Sequence, residues 1–188
     1  EAIGGWLGLG SERFAVIPNG IPLARFAAPA APAEDVERAL KGRLGVAMVA
    51  RLVPPKDHAT ALAALALLPD EYCLVLAGEG PEGAAIEESA KRLGVADRCV
   101  LLGSRADVPA ILAACRVYLQ SSRVEGFGIA ALEAMAAGLP VVASEARGLG
   151  ELVRGAGLLF PVGDAGACAK DIERIATEPG LAEKLVAA

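Results

Sequence analysis

Residues 121–144 read SSRVEGFGIAALEAMAAGLPVVAS, and this stretch says most about the fold and the function of the chain. A turn with two glycines leads into an apolar helical pattern at Gly128–Ala137, and a β-branched run follows at Pro140–Ala143. Two glutamates, Glu125 and Glu133, stand eight residues apart around the start of that helix. Glycines let a backbone approach a ligand closely, and the first amides of a helix can point at an anion or a hydroxyl group. The stretch therefore predicts a ligand site at the start of a helix.

Glu133 lies one residue after Leu132 and four after Ile129, which puts it next to the apolar face of the predicted helix. A carboxylate in such a place needs an ion pair, a backbone donor or a ligand hydroxyl, because burying an unpartnered one is costly. Alternatively, Glu133 could have a purely structural role, because the helix dipole favours a glutamate in the first turns of a helix. The residues alone leave both interpretations open.

Apolar, β-rich runs alternate with amphipathic helical patterns along the chain. Continuous apolar strands separated by helices predict an α/β fold with a parallel sheet covered on both faces. Right-handed crossovers make that sheet doubly wound. The predicted strands are Phe14–Ile17, Leu44–Val49, Tyr72–Ala77, Cys99–Leu102, Val117–Gln120, Pro140–Ala143 and Leu158–Phe160. The predicted helices are Asp57–Leu68, Glu82–Leu93, Val108–Ala114, Gly128–Ala137, Gly150–Arg154 and Ala165–Thr177, with a short one after Leu181.

The domain prediction is one unit over residues 13–188, preceded by a linker or the tail of an earlier domain over residues 1–12. The chain has 188 residues, enough for one ordinary domain. It begins with Glu rather than Met, which suggests a piece of a longer protein. Glu1–Gly10 is predicted to be a linker or tail, and the Pro- and Ala-rich segment Ala27–Ala33 a flexible excursion.

Composition excludes several classes of protein. The net charge of −5 argues against nucleic-acid binding, and charges, Gly or Pro interrupt every apolar run before it reaches the length of a membrane span. The first residues do not resemble a signal peptide. Four widely spaced cysteines indicate free core thiols in a reducing compartment, hence a cytoplasmic protein. With one histidine, His58, and no Cys-x-x-Cys pair, a zinc site is not expected, and His58 is predicted to be a solvated residue of a first helical turn.

The loops after the predicted strands carry an unusual number of cations for an acidic protein. In a doubly wound sheet these loops form the ligand crevice. The cations are Arg51, Lys56, Arg105, Arg123 and Arg147. Such a rim is typical of a site for a phosphate-bearing substrate. Any one of these cations could simply be a charged loop residue that faces solvent. This explanation fits Arg51 and Lys56 less well, because they stand beside the start of a helix.

A second glycine motif, Gly78-Glu-Gly-Pro-Glu-Gly83, matches the dinucleotide-binding pattern Gly-x-Gly-x-x-Gly. That pattern usually follows the first strand of its unit and has an acidic residue about twenty positions on. Here two strands precede it, and Gly103, Ser104 and Arg105 stand where the acidic residue is expected. Nicotinamide binding is therefore disfavoured.

Taken in order, these motifs resemble the C-terminal, nucleotide-sugar-binding domain of a retaining glycosyltransferase of family four, a Rossmann-like half of the GT-B fold. The resemblance is carried by VIPNGIPLARF at Val16–Phe26, VARLVPPKDH at Val49–His58, LVLAGEGP at Leu74–Pro81, the long run from Val100 to Ser144, and GELVRGAGLLFP ending at Pro161. Of the single motifs, only the Glu-x7-Glu element is specific for this family. The whole set of motifs in this order is strongly specific.

The resemblance implies a donor site and residues for it. The catalytic residues would be Arg51, Lys56 and Glu125. Arg51 and Lys56 would bind the donor diphosphate and, with the helix amides, stabilise the charge of the leaving group. Glu133 would bond the ribose, and Glu125 with the amides of Phe127, Gly128 and Ile129 would hold the transferred sugar and the distal phosphate. Gly78, Gly103, Ser104 and Arg105 would frame the base. The implied enzyme needs no metal and no cofactor besides its nucleoside-diphosphate-sugar substrate.

The chain departs from the family pattern in three ways. Ala50 replaces a frequent glycine before Arg51, and Arg147 replaces the first of two glycines before Glu151. The N-terminal half of the family, which supplies acceptor contacts and in some members a catalytic histidine, lies outside this sequence. We therefore expect an isolated domain that does not transfer sugar and that works with its own N-terminal domain. The acceptor would be a sugar, a lipid or a small molecule, and membrane association would come through the N-terminal domain.

Two other functions stay open at this stage. One is a different GT-B enzyme, such as a nucleotide-sugar epimerase or a phosphorylase, which the Glu-x7-Glu spacing disfavours. The other is a nucleotide-binding module without enzymatic activity.

Overall fold

The computed structural model describes residues 19–27 and 30–188, without the side chain of Ala27. Six parallel strands form one sheet in the order β3-β2-β1-β4-β5-β6. They are β1 (Leu44–Val49), β2 (Tyr72–Ala77), β3 (Cys99–Leu101), β4 (Val117–Gln120), β5 (Val141–Ser144) and β6 (Gly157–Phe160). The prediction of a doubly wound α/β fold is confirmed.

Nine α-helices lie within the described ranges. They are α1 (Leu23–Ala27), α2 (Glu34–Leu40), α3 (His58–Leu67), α4 (Gly83–Arg92), α5 (Val108–Ala113), α6 (Ile129–Ala136), α7 (Leu149–Val153), α8 (Ala165–Thr177) and α9 (Leu181–Val186). Short 3₁₀ turns occur at Pro54–Lys56 and Ala96–Arg98. No helix of this part of the chain is long and apolar enough to cross a membrane.

The sheet is covered on both faces, which explains its continuous apolar strands. Helices α3, α4, α8 and α9 contribute to the apolar cluster on one face, and α2, α5, α6 and α7 to the cluster on the other. Large side chains such as Leu74 and Phe160 are completely buried in the first cluster, and Tyr118 in the second. The chain runs outward from β1 in one direction and from β4 in the other, so the order of strands reverses between these two neighbours. Ligand crevices of doubly wound folds form at that point.

The strand predictions after residue 40 are correct to within one residue at each end. Two helices were not predicted, because α1 is a single short turn and α2 begins in a Pro- and Ala-rich segment. The end of the predicted flexible excursion is ordered: Ala33 is buried, and its amide donates to the carbonyl of Ala110 at 3.0 Å. The predicted strand Phe14–Ile17 and the predicted linker Glu1–Gly10 lie outside the described residues.

His58 is not solvated, and that prediction is wrong. The left-handed residue Asp57 (φ 53°) caps α3 and directs the chain inward, so that His58 is only 2% exposed. Neither ring nitrogen has a hydrogen-bond partner among the described residues. Burial lowers the pKa of His58 from 6.5 to about 4, and Lys56 adds to that shift against the opposing effect of Asp57. His58 is therefore a neutral core residue.

The four cysteines are free thiols, as predicted. Cys73, Cys115 and Cys168 are buried and Cys99 is partly buried. Burial raises the pKa of Cys99 and of Cys115 to about 12, so both stay protonated at neutral pH.

Candidate functional site

The main cleft of the structure, about 830 Å³, opens at the carboxyl ends of β1 and β4. These ends contribute Val49 and Gln120 to its wall. The rest of the lining comes from the Lys56 turn, the loop before α6, the start of α6, and the α7 region. It comprises Asn19, Lys56, Glu125, Gly126, Phe127, Gly128, Ile129, Ala130, Gly148, Glu151 and Leu152. The cleft thus lies where the strand order reverses.

Two glycines with positive φ shape the wall of this cleft. At Gly128 (φ 94°) a Cβ would lie 2.8 Å from Cδ1 of Leu149. At Gly148 (φ 84°) a Cβ would lie 2.5 Å from the carbonyl oxygen of Gly126 and 2.9 Å from that of Glu125. At Gly148 the neighbours are backbone atoms, so any side chain there would push the two loops apart, whereas at Gly128 the nearest atom is the end of a leucine side chain and the positive φ is what favours glycine. The loop after β5 can therefore pack directly against the loop that carries Glu125.

Lys56 and Glu125 form an ion pair inside the cleft. Nζ of Lys56 lies 2.5 Å from Oε2 of Glu125, and the two side chains are 19% and 14% exposed. The amide of Gly126 donates to the other carboxylate oxygen at 3.2 Å. Two residues that are 69 positions apart in the sequence are thus joined in one cleft.

The turn that carries Lys56 is bound to the loop after β4. Oγ of Ser121 lies 3.1 Å from the carbonyl oxygen of Lys56 and 2.9 Å from that of Asp57. The amide of Arg123 donates to the carbonyl of Pro55 at 2.8 Å, and its guanidinium pairs with the buried carboxylate of Asp57 at 3.0 Å. These contacts fix the position of Lys56 relative to Glu125.

A buried row of polar side chains leads from β4 to Glu125. Oη of Tyr118 donates to Oε1 of Gln120 at 2.6 Å, and Nε2 of Gln120 donates to Oγ of Ser122 at 2.8 Å. Ser122 in turn donates to Oε2 of Glu125 at 3.3 Å. Burial raises the pKa of the Tyr118 hydroxyl above its ordinary value, so it stays a donor.

The start of α6 faces the cleft with free donors. Phe127, Gly128 and Ile129 all line the cleft. Their amides have no acceptor among the described residues, and the first amide bonded within this turn is that of Leu132, to the carbonyl of Gly128 at 3.0 Å. The N-cap residue is Gly128, which has no side chain to cap the helix. Such a helix start can bind an anion through its amides and its dipole.

Glu133 is half-buried on α6 and has no hydrogen-bond or ion-pair partner within the described ranges. Burial raises the pKa of Glu133 above its usual range, although Arg25 opposes the shift. The sequence correctly indicated a carboxylate beside an apolar face. Glu133 does not line the main cleft.

Arg51 and Arg105 were predicted to join the site but have other surroundings. Arg51 follows β1 and is exposed, outside the lining of the main cleft. Arg105 pairs with Asp35 of α2 and with Asp107, at 2.6 Å in each case. Hydrogen bonds to these two carboxylates raise the pKa of Arg105 above its ordinary value. In this structure its guanidinium joins α2 to the loop after β3.

Gly78, Gly103 and Ser104 meet at the carboxyl ends of β2 and β3. The amide of Gly78 donates to the carbonyl of Gly103 at 2.8 Å, and the amide of Ser104 donates to Oε1 of Glu79 at 3.3 Å. A Cβ on Gly78 (φ 147°) would lie 1.9 Å from the carbonyl oxygen of Ala50. The first glycine of the dinucleotide-like pattern therefore serves close packing of two loops.

Sequence reasoning missed Asn19 and Gln120. Asn19 lines the cleft from the segment before α1, within the stretch Val16–Phe26 that carries part of the family resemblance, and that stretch was the signal that could have found it. Gln120 ends an otherwise apolar strand, and a polar residue at such a strand end could have marked it as a site residue. No cluster of three or more potential metal ligands occurs in the described part of the chain.

Comparison with known proteins finds one matching family model and several similar proteins. A family model described as "Glycosyl transferases group 1" matches residues 33–188. The 2-deoxystreptamine glucosyltransferase of Streptomyces kanamyceticus is 33% identical over 188 residues, which cover 92% of this chain and 48% of that protein. The lipopolysaccharide core biosynthesis glycosyltransferase LpsE of Rhizobium meliloti is 35% identical over 142 residues, or 74% of this chain and 42% of that protein. The chain thus spans less than half the length of these curated relatives.

The fold also matches a solved structure with a bound ligand. The crystal structure of Anabaena Alr3699/HepE in complex with UDP-glucose has a TM-score of 0.85 and 27% sequence identity. The match covers 96% of this chain and 52% of that one.

Proposed function

The chain belongs to the group 1 glycosyltransferases, and we propose that it is the domain that binds the nucleoside-diphosphate-sugar donor. The observation that carries the proposal is the Lys56–Glu125 pair beside the free amides at the start of α6. A cation and oriented amides suit a diphosphate, and a carboxylate suits the hydroxyls of a sugar. One cleft thus offers partners for both parts of the donor.

We propose UDP as the nucleotide. Support comes from Alr3699/HepE, which shares the fold at 27% identity and was crystallised with UDP-glucose. The base would lie towards Gly78, Gly103 and Ser104, which meet at the ends of β2 and β3. Glu133 would bond the ribose, since its carboxylate is half-buried and has no partner within the described ranges.

In the proposed reaction the bond between the sugar and the diphosphate breaks, and negative charge develops on the leaving phosphate. Lys56 and the amides of Phe127, Gly128 and Ile129 would stabilise that charge where it forms. Arg51 would reach the diphosphate from the rim, since it is exposed and long. Glu125 would hold the transferred sugar. This chemistry requires no metal ion, and we propose retention of the anomeric configuration, as the family resemblance implies.

We propose that the acceptor is bound by a second domain. The chain spans 48% of the S. kanamyceticus relative, and the cleft is open to solvent. Without an opposing wall the chain would bind the donor but not position an acceptor, and positioning can supply roughly 7–11 kcal/mol of a barrier. We place this work in the cytoplasm, because free thiols suit a reducing compartment.

The test is a thermal-shift panel of the 188-residue chain with UDP, GDP, ADP and their glucose conjugates. We expect UDP and UDP-glucose to raise the melting temperature most, because a ligand stabilises the state that binds it. EDTA should leave those shifts unchanged. A flat response to all six ligands would contradict donor binding, and a preference for GDP or ADP would contradict the assignment of the base.

A further inference from the structure

The buried polar row of Tyr118, Gln120 and Ser122 is hydrogen-bonded to Glu125, a residue of the proposed donor site. We propose that Gln120 and Ser122 are positioning residues, which orient the carboxylate of Glu125 and thereby set the affinity for the sugar part of the donor. This inference rests on the proposed function of the cleft.

The row is buried and its geometry is fixed. Tyr118, Gln120 and Ser122 are 0%, 1% and 0% exposed. Gln120 uses both ends of its amide, since Oε1 accepts from Tyr118 and Nε2 donates to Ser122. Turned over, the amide would present Oε1 to Ser122 and compete with Glu125 for the Ser122 proton, so the contact between Ser122 and the carboxylate requires Nε2 to face Ser122.

The direction of the hydrogen bonds determines what Ser122 does. Its Oγ accepts from Gln120 at 2.8 Å, so its own proton is directed to Oε2 of Glu125 at 3.3 Å. Every donor from Tyr118 onward therefore points towards the carboxylate. A row of this kind holds the carboxylate in one orientation.

The row matters most once the donor is bound. In the structure the carboxylate of Glu125 has three partners: Lys56, Ser122 and the amide of Gly126. When Lys56 turns towards the diphosphate, only the latter two remain. Ser122, held by Gln120, then keeps the carboxylate aimed at the sugar. Loss of the row should weaken binding of UDP-glucose while sparing UDP.

The experiment is calorimetric titration of Gln120→Leu and Ser122→Ala with UDP and with UDP-glucose, each variant alone and combined with Glu125→Gln. We expect roughly threefold to tenfold weaker binding of UDP-glucose, the range for one hydrogen bond, and UDP affinity within about twofold of the wild type. In the Glu125→Gln background neither substitution should weaken UDP-glucose binding further. A double-mutant cycle of this kind separates action through Glu125 from general damage.

Two buried tyrosines provide a further test variant, at Tyr118, and its matched control, at Tyr72. Tyr118→Phe removes the first donor of the row and should weaken UDP-glucose selectively, though less than Ser122→Ala. Tyr72, 1% exposed on β2, has a hydroxyl without a partner among the described residues, so Tyr72→Phe should change neither affinity. Equal weakening of UDP and UDP-glucose, or additive losses in the Glu125→Gln background, would overturn the inference. Failure of the wild-type chain to bind UDP would instead contradict the proposed function itself.

Discussion

Lys56 and Glu125 bind each other at 2.5 Å across the floor of the cleft, although 69 residues separate them in the sequence. Both side chains are largely buried, so each neutralises a charge that would otherwise be costly. On the proposed function, a donor that enters the cleft would exchange this pair for contacts with phosphate and sugar. The pair would then link the two halves of donor recognition.

Replacing Lys56 with alanine should weaken UDP binding and hardly affect uridine. A charge-assisted contact contributes roughly 1.5–3 kcal/mol, which corresponds to about tenfold to a hundredfold in affinity. Arg51→Ala should act in the same direction but less, because Arg51 is exposed and outside the cleft lining. Calorimetry measures both, with Lys91→Ala on α4 as the control for an exposed lysine. Equal losses for uridine and UDP would show that Lys56 does not contact the diphosphate.

Substitution of the two glutamates should weaken the binding of different ligands. Glu133→Gln should weaken UDP itself, because its proposed partner is the ribose, whereas Glu125→Gln should spare UDP and weaken only UDP-glucose. Titration of both variants with both ligands tests this. If Glu133→Gln bound UDP normally and only its melting temperature changed, Glu133 would be a structural residue.

Stability should fall as the pH is lowered from about 6.5 to 4, in part because of His58. Its pKa is about 4 in the folded protein and about 6.5 when unfolded, so in this window only the unfolded chain takes up the proton. The full contribution is at most roughly 3–4 kcal/mol, at about 1.36 kcal/mol for each pH unit between the two pKa values. Denaturant unfolding of the wild type and of His58→Leu across that range gives the difference. Parallel curves for the two proteins would contradict a buried neutral histidine.

Gly78→Ala should destabilise the domain by at least about 2 kcal/mol, because its Cβ would meet the carbonyl of Ala50 at 1.9 Å and its φ is 147°. Gly20→Ala is the control, since a Cβ there has no neighbour within 4 Å. Urea unfolding compares the two variants with the wild type. Equal stability of Gly78→Ala and Gly20→Ala would mean that the two loops are free to move apart.

The sequence allowed the sheet and most helices to be predicted, because continuous apolar strands and helical periodicity are local patterns. It also allowed the prediction, in part through the family resemblance, that Lys56, Glu125 and the amides of Phe127–Ile129 belong to one ligand site. It could not show that Lys56 pairs with Glu125, since that contact depends on the exact register of two distant loops. The burial of His58 was missed for a related reason: a left-handed cap at Asp57, not the helix pattern, turns it inward.

Arg105 shows the same limit of sequence-based prediction, because its position could be predicted but its partners could not. Its position after β3 was predicted correctly, but one of its partners is on α2, a helix that sequence periodicity did not indicate. A loop cation can satisfy a neighbouring carboxylate or a ligand, and only the fold shows which acidic groups come within reach.

The central claim is that a UDP-sugar binds in the cleft at the start of α6. Its most direct test is a titration of the ¹⁵N-labelled chain with UDP-glucose, followed by the backbone amide resonances. We predict saturable shifts that are largest for Gly126, Phe127, Gly128 and Ile129 and that are much reduced in Lys56→Ala. Saturable shifts confined to residues away from this cleft, or no shift at millimolar UDP-glucose, would contradict the account.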